Sequence, residues 1–197
     1  MAKKLTRDRI VDKADQLFYA HGFEHTSFAQ IAEALGISRG NFYYHFKTKD
    51  EILDAVISHR LVHTNSMLDN WELEGDTPTD RIRSFINILV MNRTKIKRYG
   101  CPVGTLCTEL AKLDHPARSR ANELFTLFRT WLRRQFEQLG RSDDADELAM
   151  HLLAFSQGVA ILSSAFQDEK FIHSEVSRLD DWLVSFTTTT NIHPEVL

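Results

Sequence analysis

The densest run of side chains able to address a nucleic acid lies at Ser38–Lys49, S-R-G-N-F-Y-Y-H-F-K-T-K. Arg39 and Asn41 are the types that read base edges. Arginine pairs bidentately with guanine and asparagine with adenine, each worth about 1–3 kcal/mol of discrimination. Tyr44 can touch a thymine methyl or a phosphate. Gly40 has no side chain and permits close approach. Ser38 is the N-cap type that would start such a helix. Upstream, Thr26 and Ser27 carry hydroxyls that can donate to phosphate oxygens, a contact that positions without reading sequence. Phe42 and Phe46 fall on the opposite, apolar stripe and are read as core.

A second chemically suggestive segment is R-Y-G-C-P-V-G-T-L-C-T-E-L. Cys101 falls at or beside a helix N-cap with Arg98 close in sequence, and a helix dipole and a guanidinium both favour thiolate. The alternative is a buried structural thiol, which is the plain reading of Cys107. Six helical residues separate the two sulfurs by about 9 Å along the axis, too far for an easy disulfide. Nine histidines are scattered. His59 and His63 are spaced to share a metal, but no third ligand accompanies them, so no metal site and no cofactor are expected. No nucleophile elbow, phosphate loop or C-x-x-C spacing occurs, which makes a small helical enzyme the weakest reading.

The elements that must position these residues are all helical. The first predicted helix runs from about Thr6 to His21, with Ile10, Ala14, Leu17 and Phe18 as its stripe and Gly22 as its stop. Lys3, Lys4 and Arg7 precede or open it, as a solvated tail or as phosphate contacts. Ser27 with Gln30 is a capping box. Phe28, Ile31, Ala32 and Leu35 give an apolar face, and Gly36 ends that helix with a turn through φ > 0. Ser38 starts the next. Two short helices hinged at a Gly turn form a helix-turn-helix.

Thr48 with Glu51 reads as a second capping box, opening a helix that continues towards Leu68. Glu72–Thr77 reads as a linker. One helix is then expected from Thr77-Pro78 to Gly100, another over Pro102–Leu113, and a third opened by Pro116 with Leu124, Phe125, Phe128, Leu132, Phe136 and Leu139 in its stripe. Leu148, Leu152, Phe155, Val159, Leu162 and Phe166 form a seam in the penultimate helix. The last spans about Ser174–Thr187. The final pair carries more apolar surface than one protomer can cover, which predicts a two-fold interface. Phe155, Val159, Leu162, Phe166, Leu179, Trp182, Leu183 and Phe186 are its candidates.

The run G-N-F-Y-Y-H-F-K-T-K-D-E-I-L resembles the recognition-helix signature of TetR-type bacterial transcriptional regulators, and the likeness extends from Thr6 to about Leu53. The resemblance implies an all-α fold of about nine helices, with a DNA-binding head at 1–50 and an effector-binding, dimerising body at 51–197. It implies phosphate contacts for Tyr43, His45 and Lys49, to which Lys47 is added by its charge. It implies an effector pocket in the body, for which Trp71, Phe85, Leu89, Phe125, Phe128, Trp131, Met150 and Phe155 are candidate lining residues. It also implies a homodimer on a palindromic operator, released by a small molecule. A thiol-based sensor using Cys101 is the alternative.

Bulk properties agree with this reading without deciding it. The chain has 197 residues, 43% hydrophobic and 26% charged, with a net charge of −3. Residues 1–50 hold eight Lys and Arg against six Asp and Glu, so the head is mildly basic and the body acidic. No signal-peptide core follows the basic N-terminus and no apolar run reads as long enough to span a bilayer. Two cysteines suit a reducing compartment. A cytoplasmic protein with no membrane partner is the expectation.

Overall fold

The computed structural model describes residues 2–188, with side chains described over 6–186. The side chains of Lys3 and Lys4 therefore lie outside the described residues. Among the described residues the secondary structure is entirely helical: α1 Ala2–His21, α2 Phe28–Leu35, α3 Arg39–His45, α4 Lys49–Glu74, α5 Pro78–Met91, α6 Arg93–Tyr99, α7 Pro102–Lys112, α8 Arg118–Gln138, α9 Ala145–Phe166 and α10 Glu169–Thr188. They fall into two compact units, Met1–Asn65 with Pro102–Leu124, and Ser66–Cys101 with Phe125–Leu197. The packing units thus differ from the division at residue 50, because α7 and the start of α8 pack with the head helices.

In the first unit α1 packs against α2 and α7, and α2 against α3. Ile10, Ala14 and Phe18, each four residues on from the last, are buried along α1. Gly22 closes that helix at φ 87°, with its N–H on the Phe18 carbonyl at 2.9 Å. The Glu109 carboxylate of α7 then accepts the next two amides, from Phe23 and Glu24, both at 2.9 Å. A Cβ at Gly22 would come 2.9 Å from that carboxylate, so glycine serves both the left-handed turn and the close approach. Arg60 ties Asp15 to the Pro102 carbonyl, and Arg120 binds Ser58 and Asp54.

In the second unit α10 packs against α5, α6 and α9, and α6 against α9. Leu89, Ile96, Val159, Ala160 and Ile172 form a buried cluster joined by Cys101, Phe155, Phe171 and Val176. Two expected elements differ here. The single helix predicted from Thr77 to Gly100 is broken at Asn92, whose φ and ψ are −104° and 11°. The Asn92 carboxamide donates to the Ile88 carbonyl and Arg93 to that of Val90, so side chains occupy carbonyls near the break. Counting α5 and α6 as one interrupted helix recovers the expected nine. The last helix begins at Glu169 rather than Ser174, because the Asp168 carboxylate accepts the amides of Lys170 and Phe171 and caps it there.

Smaller boundary shifts have similar causes. Pro116 lies in the turn before α8, where the Ala117 amide donates to His115 Nδ1. The capping box expected at Thr48 is half made: its hydroxyl accepts from the Glu51 amide, but the Glu51 carboxylate takes the Lys47 amide instead. The expectation that no apolar run is long enough to span a bilayer is corrected by α9, a 22-residue helix containing an 18-residue window of mean hydropathy 1.5, long and apolar enough by length and composition alone. Ala149, Leu152, Leu153, Val159 and Ala160 bury one side of it. Met150, Ile161, Leu162 and Phe166 stand exposed, Phe166 at 77%.

Candidate nucleic-acid interface

Two caps and one glycine shape the interface. Ser27 caps α2 by accepting from the Gln30 amide at 3.3 Å, and Gln30 returns the bond to the Ser27 amide at 2.7 Å, so the capping box is complete. Gly36 stops α2 in the left-handed region at φ 64°. Ser38 restarts the chain by accepting from the Asn41 amide at 3.2 Å. A seven-residue helix has little intrinsic stability, and α3 is held by what it buries. Phe42 and Phe46 are each 1% exposed. Phe42 packs on Phe28 at 5.0 Å between ring centroids, and the Arg7 guanidinium lies over Phe46. Each ring contributes about 1.5–3 kcal/mol by burial.

Seating those two rings turns the other side of α3 outward. Arg39, Gly40, Asn41, Tyr43 and Tyr44 are all exposed, and Gly40 has nothing within 4 Å of where a Cβ would be. Ser27, Phe28, Ala29, Ala32, Arg39, Phe42 and Tyr43 border a groove of about 260 Å³ between α2 and α3. Arginine and asparagine one turn or less apart, flanked by tyrosines, can meet base edges and backbone together. His45 is half-buried with Nδ1 enclosed and without a hydrogen-bond partner among the described residues, so an outward contact must use Nε2.

Two predicted phosphate partners are engaged elsewhere. Thr26 is 2% exposed and its hydroxyl donates to the Gly22 carbonyl at 2.7 Å, closing the turn between α1 and α2. Lys49 donates to the Phe23 and Glu24 carbonyls at 3.1 and 3.0 Å and lies over the Phe23 ring. Its cation thus serves the loop whose amides Glu109 holds. Lys47 remains exposed, with Nζ on the Tyr43 carbonyl at the C-terminus of α3.

The predicted body residues separate into small groups. Trp71 packs on Trp131 at 5.6 Å and Phe85 on Phe128 at 5.6 Å. Leu89 and Phe155 belong to the cluster that includes Cys101. Phe125 is half-buried, whereas Met150 is 43% exposed on α9 and lines no interior. A groove of about 310 Å³ lies between α5 and α10, bordered by Arg83, Asn87, His173 and Asp180 among others, and includes none of the predicted residues. Cys101 is half-buried immediately before α7, but the Arg98 guanidinium lies over the Tyr99 ring. Cys107 is buried and donates to the Ala121 carbonyl. Of the dimer candidates, Val159, Leu179 and Leu183 are buried within the protomer, Phe155, Trp182 and Phe186 are half-buried, and Leu162 and Phe166 are exposed.

Three polar residues escaped the sequence reading. Glu109 holds the α1–α2 turn. Glu72, inside the segment read as a linker, accepts from Arg81, Arg134 and Gln135 at 2.9, 2.8 and 2.7 Å. Gln135 itself is fully buried, and its Oε1 and the Trp131 Nε1 one turn earlier have no hydrogen-bond partner among the described residues. An unmet buried group costs about 1–3 kcal/mol. Gln135 carried a legible signal, since it interrupts the Leu132, Phe136 and Leu139 stripe.

Comparison with known proteins bears on both regions. Residues 10–56 match the family description "Bacterial regulatory proteins, tetR family". Residues 78–175 match "Transcriptional regulator LmrA/YxaF-like, C-terminal domain". An HTH-type transcriptional regulator from the lacX 3′ region of Lactococcus lactis is 30% identical over 61% of this chain and 63% of its own length. The HTH-type regulator YxaF of Bacillus subtilis is 24% identical over 83% of this chain and 87% of its own. A crystal structure of a TetR transcriptional regulator from Legionella pneumophila superposes with a TM-score of 0.78 at 24% identity, covering 89% of this chain and 96% of that one.

Proposed function

The chain belongs to the TetR family of bacterial regulatory proteins, DNA-binding transcriptional regulators rather than enzymes, and we propose that it is a cytoplasmic repressor released from a palindromic operator by a small-molecule effector. The observation that carries this reading is α3: two buried phenylalanines seat it, and Arg39, Asn41 and Tyr44 face outward from it. Residues 1–50 read and grip DNA, and residues 51–197 bind the effector and dimerise. Tyr43, Lys47, Ser27 and His45 through Nε2 supply backbone contacts.

Two or three readers per head give modest discrimination, so the function needs two heads on half-sites about one helical turn apart or a multiple of it. The exposed stripe of α9, with Ile161, Leu162 and Phe166, is the surface a second copy would cover, joined by Val184 of α10. The effector would favour a dimer unfit for the operator, by differential affinity for two states. The aromatic pairs Trp71–Trp131 and Phe85–Phe128 are the walls offered for it.

Selection of bound duplexes from random DNA tests the reading, and recovery of one inverted repeat is the expected result. Recovery of no palindrome would overturn it. A sedimentation mass of 22.7 kDa at micromolar concentration, that of a single chain, would overturn the dimer. The half-buried position of Cys101 beside the start of α7 favours a thiol-responsive version of the same regulator. A thiol reaction rate no faster than that of free cysteine at pH 7 would exclude it.

A further inference from the structure

The groove of about 260 Å³ between α2 and α3 has a hydrocarbon floor and a polar rim. Ala32 and Phe42 are buried at its base, and Phe28 packs on Phe42. None of these side chains can donate or accept a hydrogen bond. Ala29 stands exposed at the α2 margin, one turn before Ala32. A longer side chain there would occupy the space, whereas alanine keeps it open and lines it with a methyl group. The α3 margin carries Arg39, a residue type that reads base edges, and Tyr43, whose ring Phe28 meets edge-on at 5.5 Å between centroids. Ser27, whose hydroxyl caps α2, completes the rim. The groove is thus continuous with the outward side of α3.

We propose that this groove reads the C5-methyl group of a thymine, and that Ala29 is a specificity-determining residue supplied by α2. With α3 in the major groove, Arg39 meets base edges while Tyr43 and Ser27 meet the backbone. The thymine methyl is the apolar member of the major-groove pattern, and alanine and phenylalanine are side chains that recognise it by contact. It sits at C5, the corner of the pyrimidine nearest its own sugar–phosphate strand. A hollow with a base reader on one flank and backbone contacts on the other meets that corner. Cytosine offers no methyl, and its amino group finds no acceptor among the floor side chains. A phosphate is a poor occupant, because the floor would strip water from its charge and return no partner. The inference rests on the DNA-binding reading given above and deepens it with a base contact from outside α3.

The test starts from the operator recovered by selection. Its thymines are replaced one at a time by deoxyuridine, which pairs alike and lacks only the methyl, and binding of the full chain is followed by fluorescence anisotropy at fixed salt. Expected is a thymine, at equivalent positions of the two half-sites, whose uracil form binds about fourfold more weakly, as one buried methyl group implies. Cytosine placed there should regain about fourfold on becoming 5-methylcytosine, because the methyl and not O4 is read. Ala29→Leu fills the groove and Ala29→Ser puts a hydroxyl at its margin. Each should cut the thymine-to-uracil ratio at that position to less than about twofold and leave other positions unchanged. Serine serves if leucine prevents folding or DNA binding, and the wild-type scan decides if both variants fail. A ratio retained in a folded variant would overturn the proposal, including the case in which Ala29→Leu weakens thymine and uracil duplexes alike and so places the sugar–phosphate chain in the groove. A ratio abolished by Tyr44→Ala but not by the Ala29 variants would assign the methyl to Tyr44 instead. An operator with no methyl-sensitive thymine removes this inference alone, whereas recovery of no operator removes the regulator reading and this inference with it.

Discussion

Glu109→Ala would remove the one carboxylate that holds the turn between α1 and α2. In the wild type it accepts from the Phe23 and Glu24 amides, both at 2.9 Å, across 86 and 85 residues of chain. Hydrogen bonds to a charged group contribute about 1.5–3 kcal/mol each. The Glu24 amide is exposed and water can replace its partner, while Phe23 is 2% exposed and its amide would stay poorly solvated. The combined loss is therefore about 2–4 kcal/mol, closer to the lower figure if the turn relaxes. Glu109→Gln keeps the size and one acceptor but aims an NH2 at an amide donor, and should cost about half as much. Urea unfolding gives the stability, and amide hydrogen exchange at Phe23 and Glu24 localises it. If Glu109→Ala unfolds within 0.5 kcal/mol of the wild type and Phe23 keeps its protection, the carboxylate is incidental and the latch does not exist.

Other outcomes follow from the same geometry. Arg39→Ala should relax preference at one operator position by about 1–3 kcal/mol, and identical losses on operator and random DNA would refute base readout by that residue. Lys49→Ala should lower stability without changing the salt dependence of DNA binding, because its ammonium caps the Phe23 and Glu24 carbonyls; a salt slope reduced by one phosphate would place it on the backbone instead. Gly40→Ala meets no protein atom and raises helix propensity by about 1 kcal/mol, so a fall in operator affinity without a fall in melting temperature would show close approach to the duplex. Lys97 above all, with Arg93, holds the Glu169 carboxyl below its ordinary range. The stability from that contact is present above the usual glutamate pKa and is lost as pH falls through the depressed one. Glu169→Gln should flatten the acid limb of the unfolding profile, and an unchanged limb would count against the pair.

The helix-turn-helix was legible because each of its parts is local. Ser27, Gln30, Gly36 and Ser38 act within four residues of themselves, and Phe42 and Phe46 declare their side by spacing. What sequence could not give were partners distant along the chain. Thr26 and Lys49 look like phosphate ligands until the Gly22 carbonyl and the Phe23–Glu24 carbonyls are brought to them. Glu72 looks like part of an acidic linker until Arg81, Arg134 and Gln135 converge on it. The seam on α9 has the same origin: Val159 and Leu162 share a periodicity, but the neighbouring helices decide that one is inside and the other outside. The break at Asn92 was missed because the apolar stripe continues across it.

The separation of faces on α3 has a consequence for how such a protein can change. Substitutions at Arg39, Asn41 and Tyr44 leave the buried Phe42 and Phe46 in place and, of the ring contacts of α3, touch the exposed edge contact of Tyr44 with His45, so their folding cost is small. Phe42 and Phe46 tolerate almost nothing. A new target preference can therefore be installed by exchanging three exposed side chains, and a transplanted trio should carry its preference to any head seated in the same way. Drift in what is bound is uncoupled from drift in what is folded.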